Sequence, residues 1–158
     1  MKPREVHERL KERFNDTVSE WVEPQAGDPF ITVAAPRVPE VFRLLRDDPD
    51  LSFDFLRLLT AVDWGDRFGV VYHLYSYTHH HEVTLHIDLS KEDPRVASSA
   101  AVWATADWLE REAYDMMGIV FEGHPSLRRI LLPLDWEGHP LRKDYKEPAE
   151  YHGIKHGE

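Results

Sequence analysis

Apolar and polar positions divide the chain into three regimes. In the first, apolar residues come in short groups. Val6, Leu10 and Phe14 form a thin stripe on a charged helix opened by Pro3, a helix expected to pack only lightly. Residues 17–22 and 30–34 are short apolar or β-branched runs around Pro24, Gly27 and Pro29, the pattern of a hairpin. Pro39 opens a second helix with Val38, Phe42 and Leu45 spaced for one face, closed by Asp47, Asp48, Pro49 and Asp50.

The second regime is denser. Residues 55–64 suit a strand, although their apolar density suits a helix equally. After a turn at residues 65–69, residues 70–77 carry the aromatic and β-branched side chains that favour a sheet. The clearest strand is residues 83–89, where Val83, Leu85, Ile87 and Leu89 alternate with Thr84, His86 and Asp88. Alternation of that kind gives one buried and one exposed face. Short turns between the three runs predict an antiparallel meander. After Pro94, Val102, Ala106, Leu109, Ala113 and Met116 recur at helical spacing up to Gly118, a natural residue to follow a helix end.

In the third regime Pro125, Pro133, Pro140 and Pro148 exclude long helices and leave loop and extended chain. The predicted fold class is therefore α/β, in the order α-β-β-α-β-β-β-α. An antiparallel-rich sheet carries helices packed on it, within an α/β domain over residues 1–121. Residues 122–158 are expected to be a long ordered tail, the kind of segment that is usually functional or held by a partner.

Composition narrows the possibilities. The 158 residues fit one domain, and 42% hydrophobic content with five tryptophans argues for a folded globule. There is no cysteine, which excludes disulfides, thiolate zinc sites and cysteine-ligated iron–sulfur clusters within the chain. A formal charge of -10 disfavours nucleic-acid binding. Residues 124–145 reverse the balance, with Arg128, Arg129, Arg142 and Lys143 against Asp135, Glu137 and Asp144. A basic island on an acidic protein suits an acidic partner face or the protein's own acidic helix. No apolar run approaches the roughly 18 residues of a membrane span, and the first residues lack a hydrophobic signal core, so a cytosolic chain is expected.

Candidate chemistry is sparse. His79, His80, His81 and Glu82, with His73 and His86, suggest a metal site, but neighbouring strand residues point to opposite faces and a solvated turn fits better. Glu110 and Glu112 lie about 200° apart on a helix and serve separate contacts better than one catalytic pair. Arg111 and Asp115 are spaced to pair with each other, and salt bridges to Arg128, Arg129 or Arg142 are the further expectation. His124 and His139 each precede a proline; a turn-stabilising imidazole bonded to backbone fits them better than a base or a quinone donor. Trp103, Trp108 and Trp136 read as core or interface anchors.

The most informative stretch is residues 108–145. Glu-Gly-His-Pro occurs there twice, at residues 122–125 and 137–140, each copy followed by a leucine and a basic pair: Leu127-Arg128-Arg129, then Leu141-Arg142-Lys143. The offset is too short for a repeat fold, whose units need about 20 residues or more, so the copies read as two rigid corners.

With its surroundings this stretch closely resembles the signature of the 30 kDa subunit of respiratory complex I, the NADH–quinone oxidoreductase. Glu110, Arg111, Glu112, Asp115, Gly118, His124, Pro125, Leu127, Arg128, Arg129, Asp135, Trp136, Gly138, His139, Pro140, Leu141, Arg142, Lys143, Asp144 and Tyr145 carry the resemblance. Asp107 stands where asparagine is frequent, and Met116-Met117 where leucine and phenylalanine are common. The resemblance implies a scaffold subunit of the peripheral arm with no catalytic residue and no cofactor of its own. NADH, FMN, iron–sulfur clusters and quinone would then belong to partner subunits. The chain would pack against the 49 kDa quinone-site subunit on the cytoplasmic side of the bacterial inner membrane and touch the membrane only through the complex. The short tail after Tyr145 implies fewer partner contacts than in longer relatives. A homologous subunit of a membrane-bound hydrogenase or of a ferredoxin- or F420-linked complex shares much of this signature, and a free-standing metal-dependent enzyme is the reading from another class. Reversing Arg142 to Glu is expected to release the partner while the isolated domain stays folded. Truncating a buried interface charge costs about 2–5 kcal/mol, and unchanged co-purification would count against this role.

Overall fold

The computed structural model describes residues 2–155. It is a mixed α/β fold with a mostly antiparallel sheet and three α-helices. Helix α1, Pro3–Phe14, begins on a proline, and the Lys2 backbone N–H donates to Glu5 Oε2 at 2.8 Å. Its stripe is thin but does not pack lightly. Val6 and Leu10 are completely buried in the main core, because the helix lies across the sheet and those two side chains reach it.

Strands β1 (Val18–Val22) and β2 (Phe30–Val33) form the hairpin, followed by α2, Val38–Asp47, which buries Val38, Val41, Phe42 and Leu45. Then come β3 (Phe55–Asp63), β4 (Phe68–Ser76) and β5 (His81–Leu89), the antiparallel meander. In space the strands run β1-β2-β5-β4-β3, and β2 lies parallel to β5.

Alternation decides which side chains meet. Phe68, Val70, Tyr72 and Leu74 of β4 lie beside Val83, Leu85, Ile87 and Leu89 of β5, and all face the helices. On β3 the alternation breaks, because the register shifts between Leu56 and Leu58. Leu56 and Leu59 are consequently both buried, three positions apart. That bulge is why the run looks as helical as it does extended.

Beyond β5 the structure departs from the simple pattern. The third helix, α3, starts at Ala106 rather than near Val102 and ends at Met117. Two three-residue strands bracket it, β6 (Arg95–Ala97) and β7 (Val120–Glu122), paired in parallel. Residues 98–105 form turns in which the N–H groups of Val102 and Trp103 both donate to Ser99 O. Strands this short leave no periodic signal. A last pair, β8 (Glu150–Tyr151) and β9 (Ile154–Lys155), makes a small antiparallel ribbon.

Aromatic contacts tie α2 and the loop before α3 to the sheet. Phe42 meets Tyr72 and Trp103 edge-on, at 4.8 and 5.2 Å between ring centres, and Trp103 Nε1 donates to Phe53 O at 2.8 Å. Replacing Phe42 with Ala should cost about 3–5 kcal/mol, read as a lower urea midpoint at unchanged slope. A loss below about 1 kcal/mol would mean that this corner carries little of the core.

Candidate functional site

The densest polar construction is where residues 128–145, here called the strap, fold back over the C-terminal end of α3. A helix ends with carbonyls that lack partners, and here the strap supplies them. Asp115 O accepts from Arg129 Nη1 at 3.1 Å and from His139 Nδ1 at 3.0 Å. Met116 O accepts the Leu141 N–H at 3.1 Å, and Met117 O accepts Arg142 Nε at 2.7 Å. The Arg142 guanidinium also lies 4.9 Å from the centre of the Phe68 ring. Gly118 takes the left-handed conformation, φ 71°, and any Cβ there would run into Arg142 Nη2 and the His139 ring.

At the centre sits the buried Asp115 carboxylate. Oδ1 accepts Arg129 Nη1 at 2.8 Å, and Oδ2 accepts three successive backbone N–H groups, from Ile130, Leu131 and Leu132, at 3.0, 2.7 and 3.0 Å. Burial pushes this carboxyl up, but the bonds from Leu132, Arg129, Leu131 and Ile130 outweigh it and hold it below its ordinary 3.8. The other arm of Arg129 donates from Nη2 to Trp136 O and Gly138 O at 2.9 and 2.8 Å. His139 is held below its usual value by burial, with Arg142 and Arg129 nearby adding to the effect.

Around the N-terminal half of α3 lies a second buried group. Glu110 is fully buried and accepts Ser98 Oγ, Ser99 N–H and Ser99 Oγ, each at 2.6 Å. Burial raises its carboxyl, and the two serines only partly offset that. The Tyr72 hydroxyl is fully buried; burial and the Glu110 charge both raise it, and the Ser99 side chain offsets them only in part. His124 Nε2 donates to Asp107 O at 3.0 Å, while its Nδ1 accepts the Ser126 N–H at 3.0 Å. Both Glu-Gly-His-Pro corners therefore meet α3, one through His124 and the other through His139.

The expected Arg111–Asp115 pair does not form. Arg111 lies over the Trp108 ring and reaches back to Asp107, 2.6 Å from Oδ1. Helical side chains lean toward the N-terminus, so a long arginine meets the residue four before it more readily than the one four after. Asp115 is meanwhile claimed by the strap. Arg142 is likewise turned from the strap onto the end of α3, so its reversal to Glu strikes the chain's own junction as well as any partner contact.

The remaining signature residues divide cleanly. Leu127 packs against the core, and Pro140 is half-buried. Gly138 has φ 82°, and its backbone sits against the Tyr145 ring. Trp136 Nε1 donates to Tyr145 OH at 3.2 Å, and Asp135 accepts Tyr151 OH and His152 Nε2 at 2.8 and 2.7 Å. Glu112, Pro125, Arg128, Lys143 and Asp144 are exposed. Leu131, Leu134, Leu141 and Trp108 are 61%, 77%, 59% and 61% exposed, a large apolar display along the strap and α3.

Residues outside the signature complete the site. Asp63, at the end of β3, accepts the Lys143 N–H at 2.9 Å, the Gly65 N–H at 2.8 Å and Lys91 Nζ at 3.2 Å. Burial pushes Asp63 up, and these bonds bring it below its usual value. The sequence signals it only as an acid in the core-facing phase of a strand. The histidine turn does something else: His79 and His81 bond through Nε2 to Pro49 O and Leu51 O, both at 2.7 Å, fastening the α2–β3 loop. Among the described residues no three His, Asp or Glu side chains are arranged to hold a metal ion, and no helix is long and apolar enough to cross a membrane.

Fold and site together define a small α/β protein built around a carboxylate-centred junction between a helix end and an extended strap. The chain belongs to the family of the respiratory-chain NADH dehydrogenase 30 Kd subunit, whose pattern matches residues 31–151. It is 52% identical over 149 residues to the C polypeptide of NADH-quinone oxidoreductase from Chloroherpeton thalassium, covering 92% of this chain. It spans only 62% of that relative's length. Among solved structures it resembles the trypsin-resistant fragment of Nqo5, with a TM-score of 0.64 and 28% identity over 77% of this chain and 98% of the fragment. A chain of the membrane-bound sulfane sulfur reductase, an archaeal respiratory membrane complex, shares the fold at a TM-score of 0.69 and 20% identity, over 90% of this chain and 85% of that one.

The Asp115 junction has a pH signature. A carboxyl lowered by folding contributes stability that is full above its unfolded value near 3.8 and disappears as pH falls through the folded value. Asp115→Asn should therefore cost about 3 kcal/mol or more at pH 7, and the gap to the unsubstituted protein should close in acid. Urea melts across pH would read this; a gap independent of pH would contradict it.

Proposed function

We propose that the chain is a non-catalytic scaffold subunit in the peripheral arm of a proton-translocating NADH–quinone oxidoreductase, supporting the quinone-site subunit during electron transfer from NADH to quinone. The carrying observation is the family match over residues 31–151, together with a 52% identical relative named as part of NADH-quinone oxidoreductase. The site is consistent with a structural role, because its charged groups are engaged in holding the strap to α3.

On this reading the 49 kDa subunit and other peripheral-arm subunits are the partners, and they hold the FMN, the iron–sulfur clusters and the quinone. The chain sits on the cytoplasmic side of the bacterial inner membrane, attached through the complex. Residues 1–121 act as the α/β domain. Residues 122–158 act as the tail that carries partner contacts; of these, 156–158 lie outside the described residues. The exposed Arg128, Lys143, Leu131, Leu134 and Leu141 are the side chains best presented for that purpose.

A second reading, a subunit of a related hydrogenase-type or ferredoxin-linked complex, draws on the fold shared with the archaeal sulfane sulfur reductase. Affinity purification from the native host separates the two. NADH- and quinone-site subunits should co-purify in stoichiometric amounts, and Arg128→Glu with Lys143→Glu should weaken the association more at low salt than at high. Recovery of hydrogenase-type subunits instead would overturn the assignment.

A further inference from the structure

The contact between Asp115 and the strap has the form of a receptor holding a ligand. Three consecutive backbone N–H groups, from Ile130, Leu131 and Leu132, converge on a single oxygen, and the Arg129 guanidinium takes the other. Successive N–H groups aimed at one point make an anion-binding concavity whatever anion fills it, and a guanidinium suits a planar carboxylate. The receptor is also braced from outside. Arg129 is fixed from its far side by Trp136 O and Gly138 O, so its orientation does not depend on Asp115 alone. Lys143 and Leu141 anchor the distal strap to Asp63 and Met116.

We propose that residues 129–132 form a carboxylate receptor in their own right, with Asp115 as its built-in occupant. Removing the Asp115 carboxylate opens a site for a small monocarboxylate. Size sets the selectivity. Alanine keeps Cβ, so Asp115→Ala vacates the space of one carboxylate group. Formate matches that space, acetate is one methyl larger, and pivalate is too bulky. The part-buried donors give the site its affinity, since four of them otherwise lose the partner that the fully buried Asp115 supplies. Docking of the strap is therefore an internal binding equilibrium, closed in the unaltered chain because its ligand is tethered beside it.

The test is the melting temperature of Asp115→Ala in sodium formate, acetate, pivalate or chloride at equal ionic strength, together with tryptic cleavage after Arg128 and Arg129. At a formate concentration about ten times its dissociation constant, the melting point should rise by roughly 3–6 °C over chloride. Cleavage should slow in parallel, acetate should do less and pivalate nothing. The unaltered protein should respond to none of them, and Asp115→Ala combined with Arg129→Leu should lose the rescue. If Asp115→Ala does not accumulate as folded protein, refolding yield under the same four salts gives the same comparison. Equal effects of formate and chloride, or an undiminished rescue in the double variant, would overturn the proposal.

Discussion

A carboxylate taken out of water must be given back the bonds it leaves behind, or it does not stay charged. Asp115 meets that constraint with four donors, and the cost of its burial is offset only because all four come from one stretch of strap. The α3 end, the second corner and the strap thus stand or fall together. The guanidinium that satisfies Asp115 also braces the second corner, and that corner delivers His139 and Arg142 to the last helical carbonyls. Removing one partner leaves several others unpaired, which makes the junction cooperative in a way that a surface ion pair is not.

The two buried acids of α3 contrast in their solutions. Asp115 is surrounded by charge-assisted and backbone donors and is held low. Glu110, five positions earlier, has serine hydroxyls and one backbone N–H, and is held high. The first binds the strap; the second fastens the turns before α3 through Ser98 and Ser99. Their separation along one helix explains how a short element positions chain on both sides of itself.

Much of this was legible from residue order, and the failures have physical causes. The alternation at residues 83–89 identified β5, and Gly118 identified the end of α3, because each is a local consequence of side-chain geometry. Acidic α3 and the basic corners were visible as complementary charge. Which acid would take which base was not, since helix spacing offers Arg111 both Asp107 and Asp115 and only the strap's approach decides. Asp63 and Lys143 lie eighty positions apart and meet through a backbone N–H, a donor every residue but proline possesses. Strands β6 and β7 escaped because three residues carry no period. A narrow stripe says how many side chains a helix buries, not how deeply, so the full burial of Val6 and Leu10 is not legible in it.

The parallel pairing of β2 with β5 has a temporal consequence. Phe30, Ile31 and Thr32 pair with Thr84, Leu85 and His86, while everything between them builds α2 and the first two strands of the meander. A chain leaving the ribosome therefore presents its β1–β2 hairpin long before the strand that hairpin must lie against exists. Such distant pairings are slow to form and leave a strand edge open while they wait. The β1–β2 hairpin is therefore made before β5 and must wait for it.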